Sequence, residues 1–198
     1  MATSEQIKAL REETGAGVLD CKKALDQHNG DFDKALAWLN EKGLAAAAKK
    51  ASRETREGRV ETYAHPGGRL AVLVEVNCET DFVARTPEFK ELVHDLALHI
   101  ASQAPHYVKR EDISPAIIAA KVETYRQEAV GEGKKPEVAD RVASGKMEKF
   151  YQDMVLLEQP FVKDDKVKIR DLVTAAIAKI GENIVVRRFA RYELGEEL

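Results

Sequence analysis

The sequence has few cysteines and no long apolar run, and both absences restrict where the chain can act. Its 198 residues include two cysteines, Cys21 and Cys78, which stand 57 positions apart. Two thiols at that spacing form neither a disulfide framework nor a zinc-binding pattern. No stretch approaches the roughly 20 apolar residues that a membrane helix requires, and no signal-peptide core is present near the N-terminus. We therefore expect a cytoplasmic protein that does not contact a membrane.

An excess of positive charge is also missing. The chain has 31 Lys and Arg residues against 34 Asp and Glu residues, a formal net charge of −3. Because clustered positive charge dominates phosphate binding, this balance argues against nucleic acid as the main partner. Charged residues (33%) and apolar residues (44%) are both abundant. This composition indicates a globular, helix-rich chain and not a disordered one.

The sequence lacks the motifs of catalysis and of cofactor binding. Gly133-Lys134 is followed by a second lysine and lacks the first glycine of the P-loop motif, so it is not a phosphate-binding P-loop. Gly15-Ala-Gly17 does not continue as a dinucleotide motif. His94 and His99 stand five apart on a predicted helix, about 140° around its axis, and cannot bind one metal together. No motif of a serine or cysteine nucleophile occurs. We expect no catalytic residues, no metal site and no cofactor.

The first 43 residues predict three short helices. Gly15 can end the first helix in a left-handed cap, and Asp31 can cap the third, which we expect to end before Gly43. Each helix is too short to be stable alone, so the three must pack together. A bundle this small usually presents one face to a partner.

Residues 44–58 predict a helical linker. The segment contains no proline and little apolar bulk, and its Ala, Lys, Arg and Glu residues are strong helix formers. Between Lys49 and Arg59, five positive and two negative charges leave a local charge of +3. A solvated linker face explains this charge, and a patch for nucleic acid or an acidic partner is the alternative.

From Arg59 onward the apolar period changes from 3.6 to 2, which predicts strands. Two strands separated by a glycine turn are expected at 59–64 and 70–76, the second of them central, and a third is expected at 184–194. Helices are expected from Thr86-Pro87 to Pro105, from Ser114-Pro115 towards Gly131, from about Pro136 to Pro160, and over 167–180. The fold class is therefore α+β, with a core at 59–198 in which helices cover a three-stranded antiparallel sheet.

Two segments are too specific in sequence to be plain scaffold, namely 10–25 and 75–85. The second predicts a strand that ends at Val76 and a helix that begins at Thr86, with a short connection between them. Asp81 and Phe82 lie at the apex of that connection. A loop aromatic either folds back into its own core or projects as an anchor for a partner, and the sequence leaves both options open.

Both segments resemble the two signature stretches of bacterial elongation factor Ts, the nucleotide-exchange factor of the GTPase elongation factor Tu. The similarity lies in Leu10-Arg11-x-x-Thr14-Gly15-x-Gly17 with Lys22-Lys23-Ala24-Leu25, and in Glu75-Val76-Asn77-Cys78-Glu79-Thr80-Asp81-Phe82-Val83-Ala84. It continues through Lys49-Lys50, Leu157–Val162 and Ile180–Ile184 to Arg187-Arg188, and so covers nearly the whole chain.

The resemblance implies a role for each segment. Residues 1–43 would form a ubiquitin-associated-like three-helix module that docks on the nucleotide-binding domain of elongation factor Tu. The family's contact positions in that module are occupied here by Lys8, Arg11, Val18 and Leu19. The element that dislodges Mg²⁺ from the partner, so that GDP leaves and GTP can bind, would be formed by Thr80, Asp81, Phe82 and Val83.

The resemblance also implies a dimer. Many members of the family carry two similar core subdomains, whereas this chain has room for one. Short members are expected to form homodimers, which would give a 2:2 complex with elongation factor Tu. Some short members have a cysteine in the last strand where this chain has Ala190, so we expect a non-covalent dimer.

Three other functions are alternatives to exchange activity. An adaptor would use the three-helix module to bind helical partners without any effect on nucleotide. An RNA-binding protein would use the +3 linker with Arg187-Arg188-x-x-Arg191, but on a strand Arg187 and Arg191 share a face that Arg188 does not, so they form no single basic platform. An enzyme would need reactive residues for which the sequence offers no motif.

Overall fold

The computed structural model describes residues 2–14 and 16–196, and within them the protein is α+β, as predicted. In chain order the helices are α1 (Ser4–Thr14), α2 (Val18–Gln27), α3 (Phe32–Lys50), α4 (Asp81–Ala84), α5 (Pro87–Gln103), α6 (Pro115–Gly131), α7 (Pro136–Met154) and α8 (Ile169–Ile180). The strands are β1 (Glu57–Ala64), β2 (Leu70–Cys78), β3 (Pro160–Phe161), β4 (Asp164–Lys168) and β5 (Val185–Glu193). The cap predicted at Gly15 lies outside the described residues.

The three N-terminal helices pack around a small apolar core. Its fully buried members include Leu10 from α1 and Leu25 from α2, and Leu39 of α3 completes it. Asp31 caps α3, as predicted, because its side chain accepts the backbone N–H of Lys34 at 3.1 Å. These contacts confirm the prediction that the three helices pack together.

The third helix is longer than the sequence pattern indicates. The pattern predicts an end before Gly43 and a helical linker over 44–58, whereas α3 continues without a break to Lys50 and β1 already begins at Glu57. The predicted linker helix is therefore wrong beyond Lys50, where a turn and irregular backbone follow. Four consecutive alanines after Gly43 favour helix strongly enough to carry α3 past the glycine. A Cβ built on Gly43 would lie 3.5 Å from the Cβ of Ala178 in α8.

The main sheet has three antiparallel strands in the order β1-β2-β5, which confirms the prediction that β2 is central. Val72, Val74 and Val76 are buried, whereas Ala71 and Leu73 on the opposite face are exposed. The strand does not end at Val76 as predicted but runs on to Cys78, which is also buried. The prediction ends the strand before Asn77 because this residue is polar. In the structure Asn77 is buried and belongs to β2.

A glycine in β1 lets the two strands approach closely where β2 ends. Gly58 has a φ of +149°, and a Cβ at this position would lie 2.3 Å from the carbonyl oxygen of Val76. No heavy atom fits at that distance, so only glycine is compatible with this strand pairing.

The chain between α7 and α8 departs from the predicted pattern. The helix ends at Met154 and not near Pro160, because the N–H of Leu156 bonds to the carbonyl of Tyr107 at 2.8 Å. A short 3-10 helix follows at Leu156–Glu158, and β3 and β4 then pair as an antiparallel hairpin that the sequence pattern does not predict. Pairing with a distant segment thus replaced the continuation of α7.

Close contacts divide the chain into two compact units. The first contains Met1–Glu61, Val74–Asp95 and Asp171–Arg187, and the second contains Thr62–Leu73, Leu96–Arg170 and Arg188–Leu198. The three N-terminal helices and residues 80–83 both belong to the first unit. In the part of the chain that the structure describes, every helix is too short or too polar to span a lipid bilayer.

Candidate partner-binding surface

Residues 80–83, here called the exposed turn, follow directly after β2. The sequence predicts a short connection here without assigning its conformation, and in the structure Asp81–Ala84 forms a single helical turn, α4. Thr80 is its N-cap, because the Thr80 hydroxyl oxygen accepts the N–H of Val83 at 3.3 Å. A threonine followed by an aspartate is a local sign of a helix start, and this signal could have predicted α4.

Phe82 projects into solvent from the exposed turn. Its side chain is 78% exposed, whereas the neighbouring Val83 and Ala84 are each only 8% exposed. Val83, one of the four predicted contact residues, is therefore largely buried within its own chain. Phe82 leaves about 1.5–3 kcal/mol of burial free energy unused. The structure therefore favours the second of the two options, an aromatic side chain that projects.

Asp81 is exposed beside Phe82 and is paired with a cation one helical turn later. Its Oδ2 lies 2.7 Å from Nη2 of Arg85, and both side chains are more than half exposed. The tip of the turn thus presents a phenyl ring and a carboxylate together. This is a combination that can occupy an apolar cleft and compete for a cationic or metal-binding group.

A carboxylate from a distant loop holds the base of the exposed turn. Glu182 Oε2 accepts the backbone N–H groups of Glu79 at 3.1 Å and of Thr80 at 3.0 Å. Its other oxygen, Oε1, accepts the hydroxyl hydrogen of Thr80 at 2.7 Å. Glu182 lies in the matched stretch 180–184, but its spacing in sequence gives no sign that it reaches Thr80.

The neighbouring residues connect the same loop to the segment after α3. Glu79 Oε1 accepts the backbone N–H of Asn183 at 2.6 Å and lies 3.3 Å from Nη1 of Arg53. The Asn183 N–H, with the Arg53 charge as a lesser cause, holds the pKa of Glu79 below its ordinary value. The Asn183 side chain donates to the carbonyl of Arg53 at 2.9 Å. The chain between α3 and β1 is therefore fixed to the base of the turn.

Cys78 is a structural residue of this site. Its thiol is buried and donates to the carbonyl of Thr80 at 3.2 Å. Burial, with the nearby Glu182 carboxylate as a second cause, raises the pKa of Cys78 to about 11. The thiol therefore stays protonated at neutral pH, and a protonated buried thiol is an unreactive one.

The predicted contact residues of the N-terminal module lie on α1 and α2. Lys8 and Arg11 are exposed one turn apart on α1, and Val18 (50% exposed) and Leu19 (82% exposed) begin α2. Leu19 also lines a shallow surface depression with four residues that are not among the predicted contact residues, namely Lys22, Lys23, Asp26 and Gln27. Their spacing follows one face of a helix, a signal that could have identified them.

These features define a class of protein: an α+β protein with an exposed aromatic turn and an exposed apolar patch on a three-helix module. Residues 26–196 match the family described as Elongation factor TS. A protein of Herpetosiphon aurantiacus named Elongation factor Ts is 57% identical over 191 residues, 96% of each chain. This chain is also similar to two further proteins of that name. The one from Carboxydothermus hydrogenoformans is 54% identical over 100% of this chain and 91% of the relative, and the one from Moorella thermoacetica is 53% identical over 99% and 97%. The chain belongs to the elongation factor Ts family of bacterial translation elongation factors.

Proposed function

We propose that this protein is a guanine-nucleotide exchange factor that binds GDP-bound elongation factor Tu in the cytoplasm, dislodges its Mg²⁺ and promotes GDP release. The observation that carries the proposal is the exposed phenyl ring of Phe82 on a turn whose base is fixed by hydrogen bonds. The function needs no chemistry on a covalent bond, so the protein acts as a binding factor and not as an enzyme.

Exchange follows from linked binding equilibria. A GTPase holds GDP through backbone donors, a lysine and a Mg²⁺ that bridges phosphate and protein oxygens. Whatever affinity the factor gains for the nucleotide-free partner, GDP loses when the factor is bound. Each tenfold loss of GDP affinity requires about 1.4 kcal/mol of differential contact. Burial of one phenylalanine supplies about 1.5–3 kcal/mol before ordering costs, which is enough for a substantial effect.

The two exposed side chains of the turn have different tasks in this mechanism. Phe82 inserts between elements of the partner and occupies space that the GDP-bound form requires. Asp81 competes for the groups that hold the Mg²⁺ network. Neither side chain touches the guanine, so the factor does not select GTP over GDP. The direction of exchange is then set by the cellular concentrations of the two nucleotides.

The N-terminal module supplies affinity and register. Its exposed apolar residues, Val18 and Leu19, are the binding anchors, and Lys8 and Arg11 contribute charge contacts at the rim. Buried apolar anchors dominate the energy of most interfaces, whereas exposed charges mainly set orientation and association rate. Truncation in this module should therefore weaken association without changing the maximal rate of release.

We also propose that the protein is a non-covalent homodimer that forms a 2:2 complex with elongation factor Tu. In support, all three strands of the main sheet expose an apolar side chain, namely Val60 (60% exposed), Leu73 (47%) and Val185 (40%). Light scattering should give twice the 22.0 kDa of one chain. A monomeric mass at micromolar concentration would contradict the proposed dimer, but it would not contradict the proposed exchange activity.

The exchange proposal is tested by stopped-flow release of fluorescent GDP from elongation factor Tu. Phe82→Ala should reduce the release rate at saturating factor by about tenfold or more, the factor expected from loss of 1.5–3 kcal/mol. Tyr192→Ala is the matched control, since it removes another exposed aromatic (67% exposed). If Phe82→Ala stimulates GDP release as strongly as the parent does, the proposed insertion of Phe82 into the partner is refuted. If excess GDP with Mg²⁺ does not weaken binding of this protein to elongation factor Tu, the protein is an adaptor and not an exchange factor.

A further inference from the structure

We infer that Glu182 is a positioning residue for the exposed turn: it orients Thr80, and through Thr80 it sets the direction in which Asp81 and Phe82 project. The inference rests on the proposed exchange function and adds to it a residue that lies about a hundred positions away in sequence. Glu182 is itself half-buried and does not project with Phe82.

The carboxylate of Glu182 satisfies the backbone at the start of the turn. Its Oε2 accepts two successive N–H groups, of Glu79 and Thr80, at 3.1 and 3.0 Å. Hydrogen bonds to a charged acceptor are stronger than neutral ones, and two donors on one oxygen fix the peptide plane between them. Loss of this acceptor would leave both donors without the partner that holds them in place.

The Thr80 hydroxyl transmits the orientation to α4. A hydroxyl has one hydrogen, and that hydrogen is directed at Glu182 Oε1, 2.7 Å away. The lone pairs of the same oxygen are therefore left to accept the N–H of Val83 at 3.3 Å, the bond that caps α4. Glu182 thus selects the hydroxyl rotamer that can act as a cap. Without it the hydroxyl is free to rotate and the cap weakens.

The direction of Phe82 depends on the turn that carries it, which the Thr80 cap begins and the buried Val83 and Ala84 help to hold. The helix that carries it is a single turn, and isolated helical turns are unstable in water. The phenyl ring is 78% exposed and gains little from packing within its own chain. Its direction is therefore set by the backbone of the turn. An anchor that is already oriented before binding loses less free energy to ordering when it enters the partner.

The loop that carries Glu182 is anchored on its other side as well. Asn183, the next residue, donates its backbone N–H to Glu79 and its side-chain N–H to the carbonyl of Arg53. The loop between α8 and β5 is thus fixed to the segment that follows α3. This makes it a rigid support and explains how a single carboxylate can hold the turn.

The test compares Glu182→Ala with Glu182→Gln. The glutamine oxygen can accept both backbone N–H groups and its amide can donate to the Thr80 oxygen, so this variant should exchange GDP within about twofold of the parent. Glu182→Ala should reduce the release rate at saturating factor by about tenfold, equivalent to about 1.4 kcal/mol. The half-saturating concentration should stay within about twofold, because the N-terminal module supplies the affinity. Glu54→Ala, which removes an exposed carboxylate paired with Arg56, is the control.

A double-mutant cycle separates positioning from general damage. If Glu182 acts through the exposed turn, Glu182→Ala should cost much less in a Phe82→Ala background than in the parent, because only the smaller contribution of Asp81 is then left to lose. A merely structural role would give additive losses. Additive losses, or parental release by Glu182→Ala, would overturn the inference. Should Glu182→Ala fail to fold, Thr80→Val removes the hydroxyl at constant shape and should give the same non-additive result.

A second readout does not depend on exchange activity. Amide hydrogen exchange at Glu79 and Thr80 should become faster in Glu182→Ala, because both N–H groups lose their acceptor, and unchanged exchange would overturn the inference. If Phe82→Ala proves as active as the parent, the proposed function fails. Faster amide exchange at these two positions would then still support the hydrogen bonds from Glu182 to the turn.

Discussion

Arg85 lies one helical turn after Asp81, and its guanidinium approaches the Asp81 carboxylate to 2.7 Å across α4. Both side chains are mostly exposed, so the pair contributes less than about 0.5 kcal/mol to folding. We predict that Arg85→Ala leaves GDP release within twofold of the parent, while Asp81→Ala slows it severalfold, because the carboxylate acts on the partner. Stopped-flow release measures both. Equal losses would mean that Asp81 acts through its pair with Arg85.

Leu19 on α2 should determine affinity. It is 82% exposed beside the surface depression on that helix, and we predict that Leu19→Ala raises the dissociation constant for elongation factor Tu by about tenfold or more. Leu44→Ala on α3 makes the same chemical change at a residue 54% exposed and should leave affinity unchanged. Titration calorimetry gives the constant. A release rate that fails to recover at saturating Leu19→Ala would contradict this division of tasks.

The fold was predictable wherever the determining signal is local. The apolar alternation of 70–76 identified a strand with one buried face, and Asp31 identified the start of α3. Both predictions are confirmed because strand faces and helix caps depend on residues within a few positions. The exposed turn was located for the same reason, since a strand and a helix flank it. Its helical geometry was missed, although the Thr80 cap is also a local signal.

The support of the turn could not be predicted from the sequence. Glu182 and Asn183 reach Thr80 and Glu79 across about a hundred residues, and no period or motif encodes which loop meets which strand end. The prediction of where α3 ends was wrong for a different reason. Gly43 predicts a helix end, but a single glycine costs only about 1 kcal/mol in a helix, and the alanine run after it favours continuation.

Substitution of two different glycines by alanine should change the free energy of unfolding in opposite directions. In β1 the added Cβ of Gly58→Ala would meet the Val76 carbonyl at 2.3 Å, so we predict a loss of about 2 kcal/mol or more in the free energy of unfolding. Gly145 lies within α7 with open space around its Cα, and Gly145→Ala should stabilise by about 0.5–1 kcal/mol. Urea denaturation measures both. Stabilisation by Gly58→Ala would refute the strand geometry.

His99 should make stability depend on pH. It is fully buried, its Nδ1 accepts the N–H of Val162 at 3.2 Å, and its Nε2 therefore carries the hydrogen that Gln159 Oε1 accepts at 3.0 Å. A proton on Nδ1 would oppose the Val162 N–H, and burial lowers the pKa of His99 below its ordinary value. The unfolded chain then binds more protons than the folded one below about pH 6.5. The contribution of His99 to the free energy of unfolding should therefore be constant above that pH and fall below it.

The variant that tests this is His99→Asn, whose side-chain oxygen can accept the Val162 N–H in place of Nδ1 but does not titrate. It should be less stable than the parent at pH 7.5, and the difference should shrink towards pH 5.5, by up to about 1.4 kcal/mol per pH unit, because only the parent is penalised by protonation. Urea denaturation at pH 7.5, 6.5 and 5.5 measures the slope. The other histidines are common to both proteins and cancel in the difference, and Glu79, whose pKa is lowered, titrates at lower pH. A constant difference across this range would show that His99 is not the group whose protonation destabilises the fold.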